Sequence, residues 1–207
     1  EIARVVPLIV ALGPGATPLS IDTGKPAVAR RAIAAGATMW NDVTALGGSP
    51  DSADVAAELG CEVVLMHMRG DPRTMQDDPR YDDVVAEVRA FLHARAEAAI
   101  VAGVRRERIW LDPGIGFGKT AAHNLALLAA LGDIAGLGYP VVLGASRKGF
   151  IRAVDAAATL PGDRLGASLA AALSGARAGA AMVRVHDVRE TVQALTMAAA
   201  IAAAGHG

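Results

Sequence analysis

The sequence of 207 residues is 53% hydrophobic but only 3% aromatic, so it can form one domain with a sizeable, mainly aliphatic core. Its 20 basic and 21 acidic residues give a formal net charge of −1, which argues against a surface for nucleic acid or anionic membranes. No apolar stretch approaches the ~18 residues of a membrane helix. The single cysteine, Cys61, excludes an internal disulfide and fits a reducing cytosol. Because its surroundings are apolar, we interpret it as a core thiol.

The predicted elements alternate along the chain between helices that stop near a glycine and short apolar strands that end on polar residues. Helices are predicted over 1–12, 26–35, 52–59, 81–102, 124–131, 165–178 and 188–204. Strands are predicted over 18–21, 38–40, 61–66, 108–111, 140–143 and 181–183. Glycine is a common helix stop because it adopts the left-handed conformation at no steric cost. This alternation predicts a parallel sheet covered by helices.

Six βα units are compatible with an open, doubly wound sheet or with a barrel. Every predicted strand ends in a polar or charged side chain. A barrel gathers all of these ends around one mouth, whereas an open sheet uses only those at its switch point. We therefore predict a single α/β domain over residues 1–207, a TIM-type (β/α) barrel with six of the usual eight parallel βα units.

A Gly-rich loop follows the fourth predicted strand, directly after Asp112. Glycines at 114, 116 and 118 allow the backbone to approach a ligand closely. The loop is not a P-loop, because Pro113 stands where that motif needs its first glycine, and G-x-G-x-G is not a dinucleotide fingerprint. A carboxylate at the carboxyl end of a strand predicts a ligand site here, and an ordinary turn capped by Asp112 is the alternative.

The polar residues at the strand ends are the candidate site. They are Asp22, Asn41, His67, Asp112, Ser146, Lys148, Arg184 and His186. Carboxylates and amides can bind the N–H edge of a heterocycle, and Lys148, Arg184 and His186 can hold a phosphate or pyrophosphate leaving group. No spacing indicates a Ser-His-Asp or Cys-His arrangement or a zinc site. A glycosidase-type pair, Asp22 and Asp112, would leave the cations unexplained.

Structural roles are open for two of these positions and for three residues outside the candidate site. Asp22 and Asp42 can instead cap the helix that follows, and His67 on its apolar strand can be a hydrogen-bonded core histidine. Lys119 can neutralise a helix start or point to solvent, and Arg147 can be only a surface neighbour of Lys148.

Six segments, taken together, resemble the dihydropteroate synthase family. They are Ser-Ile-Asp-Thr at 20–23, Asn-Asp-Val at 41–43, Leu-Met-His-Met-Arg at 65–69, residues 111–120, residues 144–151, and Arg-Val-His-Asp-Val at 184–188. They run collinearly through nearly the whole chain. The resemblance implies a (β/α)₈ barrel of the pterin-binding superfamily, of which this chain carries strands 3–8. It also implies a cytoplasmic, homodimeric transferase that uses Mg²⁺.

The implied reaction joins 6-hydroxymethyl-7,8-dihydropterin pyrophosphate to p-aminobenzoate in folate biosynthesis and releases pyrophosphate. For the pterin, the resemblance implies that Asp112 accepts hydrogen bonds from the 2-amino and N3 edge. Asn41 and Asp22 would hold the rest of the ring, Lys148 would reach it, and Arg184 would lie along it.

For the other ligands, the resemblance implies that Phe117, Ser146 and Lys148 line the p-aminobenzoate pocket. Arg184 and His186 would bind the pyrophosphate, and Lys148, Arg184 and His186 would be the catalytic residues. An arylamine is neutral at pH 7, so the site needs no strong base. It must orient the reactants and stabilise a departing polyanion, helped by magnesium on the pyrophosphate.

The sequence departs from the family at its amino end. Family members begin with two further βα units, which supply a metal-binding Asn and a Gly-Gly-Glu-Ser-Thr-Arg-Pro-Gly loop over p-aminobenzoate. The sequence starts at Glu1, without Met or a signal peptide, so we expect a truncated chain with no metal ligand of its own and poor turnover. A methyltetrahydrofolate–corrinoid methyltransferase barrel and a non-catalytic pterin-binding fragment are the alternatives.

Overall fold

The structure is a computed structural model that describes residues 1–13, 15, 17–71 and 73–205. It divides into two compact units, unit 1 with residues 1–68 and 88–112, and unit 2 with residues 69–87 and 113–207. In the described ranges, no helix is both long and apolar enough to cross a membrane. One domain over the whole chain stays a prediction.

Unit 1 holds four parallel strands that pair in chain order. They are β1 (Ser20–Asp22), β2 (Met39–Asp42), β3 (Glu62–Met66) and β4 (Ile109–Asp112). The helices are α1 (Ile2–Leu12), α2 (Pro26–Ala34), α3 (Ser52–Leu59) and most of α4 (Val84–Val101), with a 3₁₀ turn at Arg106–Arg108. Strands β2, β3 and β4 are largely buried, as expected of apolar strands covered on both faces. Trp40, Leu65, Leu92, Ile109 and Leu111 are its most deeply buried large side chains.

Unit 2 holds the last two parallel strands, β5 (Val141–Leu143) and β6 (Ala180–Val183). Its helices are α5 (Ala121–Ala129), α6 (Leu131–Ala135), α7 (Ile151–Val154), α8 (Leu165–Arg177) and α9 (Val188–Ala204), with a 3₁₀ turn at Pro161–Arg164. Helix α8 packs on β6 and α9. Ile115, Leu127, Leu131, Ile134 and Leu143 form the buried core. All six predicted strands are present and parallel within their units, which confirms the α/β class.

Two predicted helix starts are wrong, and capping explains both. Helix α4 begins at Val84 rather than 81, because Oδ1 of Asp83 accepts hydrogen bonds from the N–H groups of Val85 and Ala86, each at 3.0 Å. Helix α5 begins three residues before the predicted 124, because Thr120 and His123 cap it reciprocally.

The strand register fixes which side chains of unit 1 share a face. Asp22 pairs with Asn41 and Met66 pairs with Asp112, while Asn41 also pairs with Val64, two residues before Met66. Side chains alternate along a strand, so paired positions and positions two apart lie on one face. Asp22, Asn41 and Asp112 therefore share a face, with Asp112 about 6.6 Å further toward the carboxyl ends.

Candidate active site

Unit 1 contributes a row of oxygen acceptors at its strand ends. Asp22 is exposed, Asn41 is half-buried, and Asp112 is only 7% exposed. The carbonyl of Asp112 accepts a hydrogen bond from the N–H of His67 at 3.0 Å, which fixes the end of β4. Acceptors at different depths on one face are suited to the N–H edge of a planar heterocycle. Their roles as pterin ligands remain predictions.

Asp42 has a structural role in this region. Its carboxylate is fully buried and accepts hydrogen bonds from the N–H and hydroxyl of Thr44, at 2.8 and 2.7 Å, and from the N–H of Leu46 at 3.1 Å. Burial raises the pKa of Asp42, and the bonds from Thr44 and Leu46 oppose that rise. The carboxylate thus holds a turn in which Ala45 and Leu46 have positive φ, and helix capping is the wrong interpretation for it.

His67 and Cys61 of unit 1 are buried, as expected from their interpretation as core residues. The His67 ring is 4% exposed and packs edge-on against Phe91, with ring centroids 4.9 Å apart. The Cys61 thiol is 7% exposed, and burial raises its pKa. A thiol that is both inaccessible and protonated is a poor nucleophile.

In unit 2, two polar side chains hold the Gly-rich loop after β4 in shape. The ammonium of Lys119 is buried and donates to the carbonyls of Gly114 and Phe117, each at 3.0 Å. Oδ1 of Asn124 accepts from the N–H of Gly116 at 2.7 Å. These hydrogen bonds fix the shape of the loop. The sequence did not reveal these roles, because a lysine after a Gly-rich loop can equally well have an exposed side chain or a buried one.

A covering segment, residues 69–71 and 73–83, contacts the same loop. Nε2 of Gln76 donates to the carbonyl of Gly116 at 2.5 Å, and the Tyr81 hydroxyl donates to the carbonyl of Gly118 at 2.8 Å. The Arg69 guanidinium lies 4.0 Å from the centroid of the Tyr81 ring. A Cβ at position 118 would overlap the carbonyl oxygen of Arg69, so glycine is required there by close approach as well as by its φ of 60°.

Lys148 reaches from the loop after β5 to the Gly-rich loop. Its ammonium donates to the carbonyl of Ile115 and lies 4.5 Å from the centroid of the Phe117 ring, within cation–π range. A Cβ at Gly116 would come within 3.0 Å of Lys148 Cδ, so the glycine makes room for the lysine stem. Lys148 and Phe117, which the resemblance assigns to one pocket, therefore lie in contact, and their role in binding p-aminobenzoate stays a prediction.

The carboxyl ends of β5 and β6 enclose a cavity of about 170 Å³. It is lined by Gly144, Ser146, Lys148, Arg184, Val185 and His186. The Ser146 hydroxyl accepts from the N–H of His186 at 3.3 Å and lies 3.1 Å from its ring Nδ1. An ammonium, a guanidinium and an imidazole on one small cavity form a site suited to a polyanion such as pyrophosphate. Four of the predicted site residues are brought together here.

Known proteins resemble this chain over most of its length. The family model of pterin binding enzymes matches residues 1–186. The dihydropteroate synthase of Escherichia coli (strain K12) is 42% identical over 196 residues, which are 94% of this chain and 68% of that protein.

Solved structures of dihydropteroate synthase from Xanthomonas albilineans superpose closely on the chain. The one with 4-aminobenzoic acid has a TM-score of 0.92 and 49% identity, covering 98% of this chain and 72% of the other. The one in complex with 7,8-dihydropteroate has a TM-score of 0.91 and 48% identity, with coverages of 98% and 74%.

The chain therefore belongs to the family of pterin binding enzymes. Within that family, the relatives compared above are all dihydropteroate synthases, so the resemblance seen in the sequence is confirmed. The match to these structures also confirms the predicted barrel-type fold with six of its eight βα units.

Proposed function

We propose that this chain carries out the dihydropteroate synthase reaction, which condenses 6-hydroxymethyl-7,8-dihydropterin pyrophosphate with p-aminobenzoate to give 7,8-dihydropteroate and pyrophosphate. The observation that carries the proposal is the cationic cavity at the ends of β5 and β6, in a chain that is 42% identical to a dihydropteroate synthase over 94% of its length. The alternative, a corrinoid methyltransferase, would release no pyrophosphate. It would therefore not explain the basic residues of this cavity.

In the reaction, the arylamine nitrogen forms a bond to the methylene carbon of the pterin. The bond from that carbon to the pyrophosphate oxygen breaks, and its electron pair leaves with the pyrophosphate, while the nitrogen loses a proton. Charge therefore develops on the leaving oxygen. We assign its stabilisation to Lys148, Arg184 and His186, since preorganised positive charges and hydrogen-bond donors lower the barrier where negative charge develops.

We assign p-aminobenzoate to the part of the site formed by Phe117, Ser146 and Lys148. The Phe117 ring offers an apolar face, and Lys148 beside it offers a positive charge for the carboxylate. The buried Ser146 hydroxyl adds a hydrogen-bonding group. We assign the pterin edge to Asp22, Asn41 and Asp112 because they share one face.

A calorimetric titration tests the proposal. Pterin pyrophosphate is titrated into the chain alone and in the presence of p-aminobenzoate, and dihydropteroate formation is followed by chromatography. We expect saturable pterin binding and product that requires both substrates. Binding without product would favour a non-catalytic pterin-binding fragment, and absence of binding would contradict the proposal.

The use of Mg²⁺ remains a proposal. The side chains of this chain do not by themselves form a site for it. Among the described residues, no three His, Cys, Asp or Glu side chains are placed to hold a metal ion. The cavity is lined by cations, whereas Mg²⁺ prefers oxygen ligands. These residues do not fit a resident ion.

We also propose a homodimer and a cytoplasmic location. Support for self-association is an apolar groove of about 370 Å³ on unit 2, between α5, α7 and α8. Leu125 on α5 and Val154 on α7 are 44% and 67% exposed beside it. Light scattering coupled to size-exclusion chromatography would give the mass in solution, and a monomer at all concentrations would contradict the dimer. Fractionation of the source cells would test the location.

A further inference from the structure

Arg147 lies in sequence between two residues of the cationic cavity, yet its side chain is turned to a carboxylate. Its guanidinium forms a two-pronged pair with Asp187. Nε donates to Oδ2 at 3.0 Å, and Nη2 donates to Oδ1. The side chains of Arg147 and Asp187 are only 34% and 16% exposed. The hydrogen bonds from Arg147 lower the pKa of Asp187, as expected of a charge-assisted pair.

The backbone of Arg147 is held just as firmly. Its φ of 57° is in the left-handed region, which is unfavourable for a residue with a side chain. Its N–H donates to the Ser168 hydroxyl at 2.9 Å, and its carbonyl accepts from Nη1 of Arg164 at 2.8 Å. Arg164 is buried and also donates to the carbonyls of Ala158 and Thr159. These contacts maintain a conformation that the residue would not adopt alone.

Arg147, held in its left-handed conformation, connects two loops that line the cavity. Ser146 and Lys148 line the cavity on either side of it. Its partner Asp187 directly follows His186, which is linked to Ser146 through the serine hydroxyl. The ion pair thus ties the loop after β5, which carries Lys148, to the loop after β6, which carries His186.

We propose that Arg147 and Asp187 form a clamp that positions Lys148 and His186 relative to one another for the departing pyrophosphate. The proposal rests on the proposed function and extends it to two residues that do not touch the substrate. A displacement of about 1 Å at a reacting group can lower the rate on the order of 100-fold. An ordinary half-exposed ion pair would affect stability slightly and catalysis not at all.

The test uses Asp187→Asn, Arg147→Met and the double variant in the full chain. Asp187 precedes α9, but its side chain makes no capping hydrogen bond, so the amide removes the clamp without removing a cap. The control is Glu58→Gln, which breaks another two-pronged pair, formed through a different edge of the guanidinium. There Arg30 Nη1 and Nη2 donate to the two Glu58 oxygens at 2.7 and 2.5 Å. That pair joins α2 and α3 of unit 1.

Two measurements are made on each variant, kcat and KM for dihydropteroate formation and the affinity for inorganic pyrophosphate. We expect each single clamp variant to lower kcat by roughly 10- to 100-fold and to weaken pyrophosphate binding. KM for p-aminobenzoate should change little. The double variant should be no worse than the poorer single variant, because both remove one link. Glu58→Gln should match the wild type.

Different outcomes separate this inference from the proposed function. A wild-type chain that neither forms product nor binds pyrophosphate overturns both. A working wild type with unchanged kcat and pyrophosphate affinity in Asp187→Asn overturns the clamp alone, as does a loss of activity that only parallels the loss of folded protein. If Asp187→Asn does not fold, Arg147→Lys replaces it, because lysine keeps the charge but cannot form the two-pronged pair. We expect this variant to fold and to show the same selective loss of kcat. An unchanged kcat in Arg147→Lys overturns the clamp.

Discussion

Two glycines of α8 offer a stability test that isolates one packing contact. A Cβ at Gly175 would overlap Cδ2 of Leu143 and lie 3.6 Å from Cδ2 of Leu131, whereas a Cβ at Gly166 would meet nothing within 4 Å. Both glycines are in the same helix. Replacing each with alanine therefore makes the same chemical change with and without a steric conflict.

The expected magnitudes follow from helix propensity and packing. Alanine is more favourable than glycine by up to about 1 kcal/mol per helical position, so Gly166→Ala should be neutral or stabilising. At Gly175 the same gain is opposed by overpacking, which costs about 1–3 kcal/mol in a well-packed core. Leu143 is only 1% exposed, so it has little room to move aside. The two variants should differ by roughly 1–3 kcal/mol.

Thermal unfolding followed by circular dichroism measures this difference. In a chain of this size, each kcal/mol shifts Tm by about 2–4 °C, so Gly175→Ala should melt several degrees below Gly166→Ala. Adding Leu143→Val should recover part of the loss, since it removes a methylene from the crowded position. A Gly175→Ala variant at least as stable as Gly166→Ala would contradict this reasoning. It would show that β5 can shift at little cost and that packing against α8 does not fix the position of β5.

Three further predictions concern the site and the thiol. Asp112→Asn should weaken pterin binding by about 2 kcal/mol, or roughly 30-fold in Kd by calorimetry, because the amide places a donor where an acceptor is needed. Lys148→Ala should lower kcat at least ~10-fold at saturating substrates while leaving Tm nearly unchanged. Cys61 should react with an alkylating reagent at least ~10-fold more slowly in the native chain than in denaturant, because burial blocks access and raises its pKa.

Each of these has a control or a contradicting result. Asp54→Asn, an exposed carboxylate in the first turn of α3, should leave pterin affinity unchanged. An Asp112→Asn variant with wild-type affinity would remove Asp112 from the pterin site. Equal kcat for Lys148→Ala and the wild type would argue against its catalytic role. Equal alkylation rates in native and denatured chain would show that β3 opens readily.

Much of the fold was predictable because its signals are local. Apolar runs ending on polar residues placed all six strands to within a few residues, and α9 was predicted with its observed bounds. Helix α3 stops at Gly60, which takes the left-handed conformation at φ 60° as its sequence position suggests. The start of α5 was missed because its capping box has His123 at the third position, where the common pattern has Glu or Gln.

The structural roles of individual polar residues were less predictable, because their partners are distant in sequence or are main-chain groups. Asp187 is 40 residues from Arg147, and no spacing rule connects them. The left-handed φ of Arg147 gave no signal, since such conformations are usually marked by glycine. Asp42 and Lys119 were ambiguous because a carboxylate or ammonium satisfied by the backbone looks, in sequence, like one that binds a ligand.

The cations of unit 2 illustrate why composition alone could not assign the site. Lys119 and Arg164 are buried and donate to main-chain carbonyls, so their positive charges stabilise loops. Arg147 is neutralised by Asp187. Lys148 and Arg184 instead line the cavity at the ends of β5 and β6, where a polyanion can be attracted. What distinguishes a binding cation from a structural one is therefore its orientation toward a cavity, which the fold supplies through fixed loops, and not its residue type or its place in a motif.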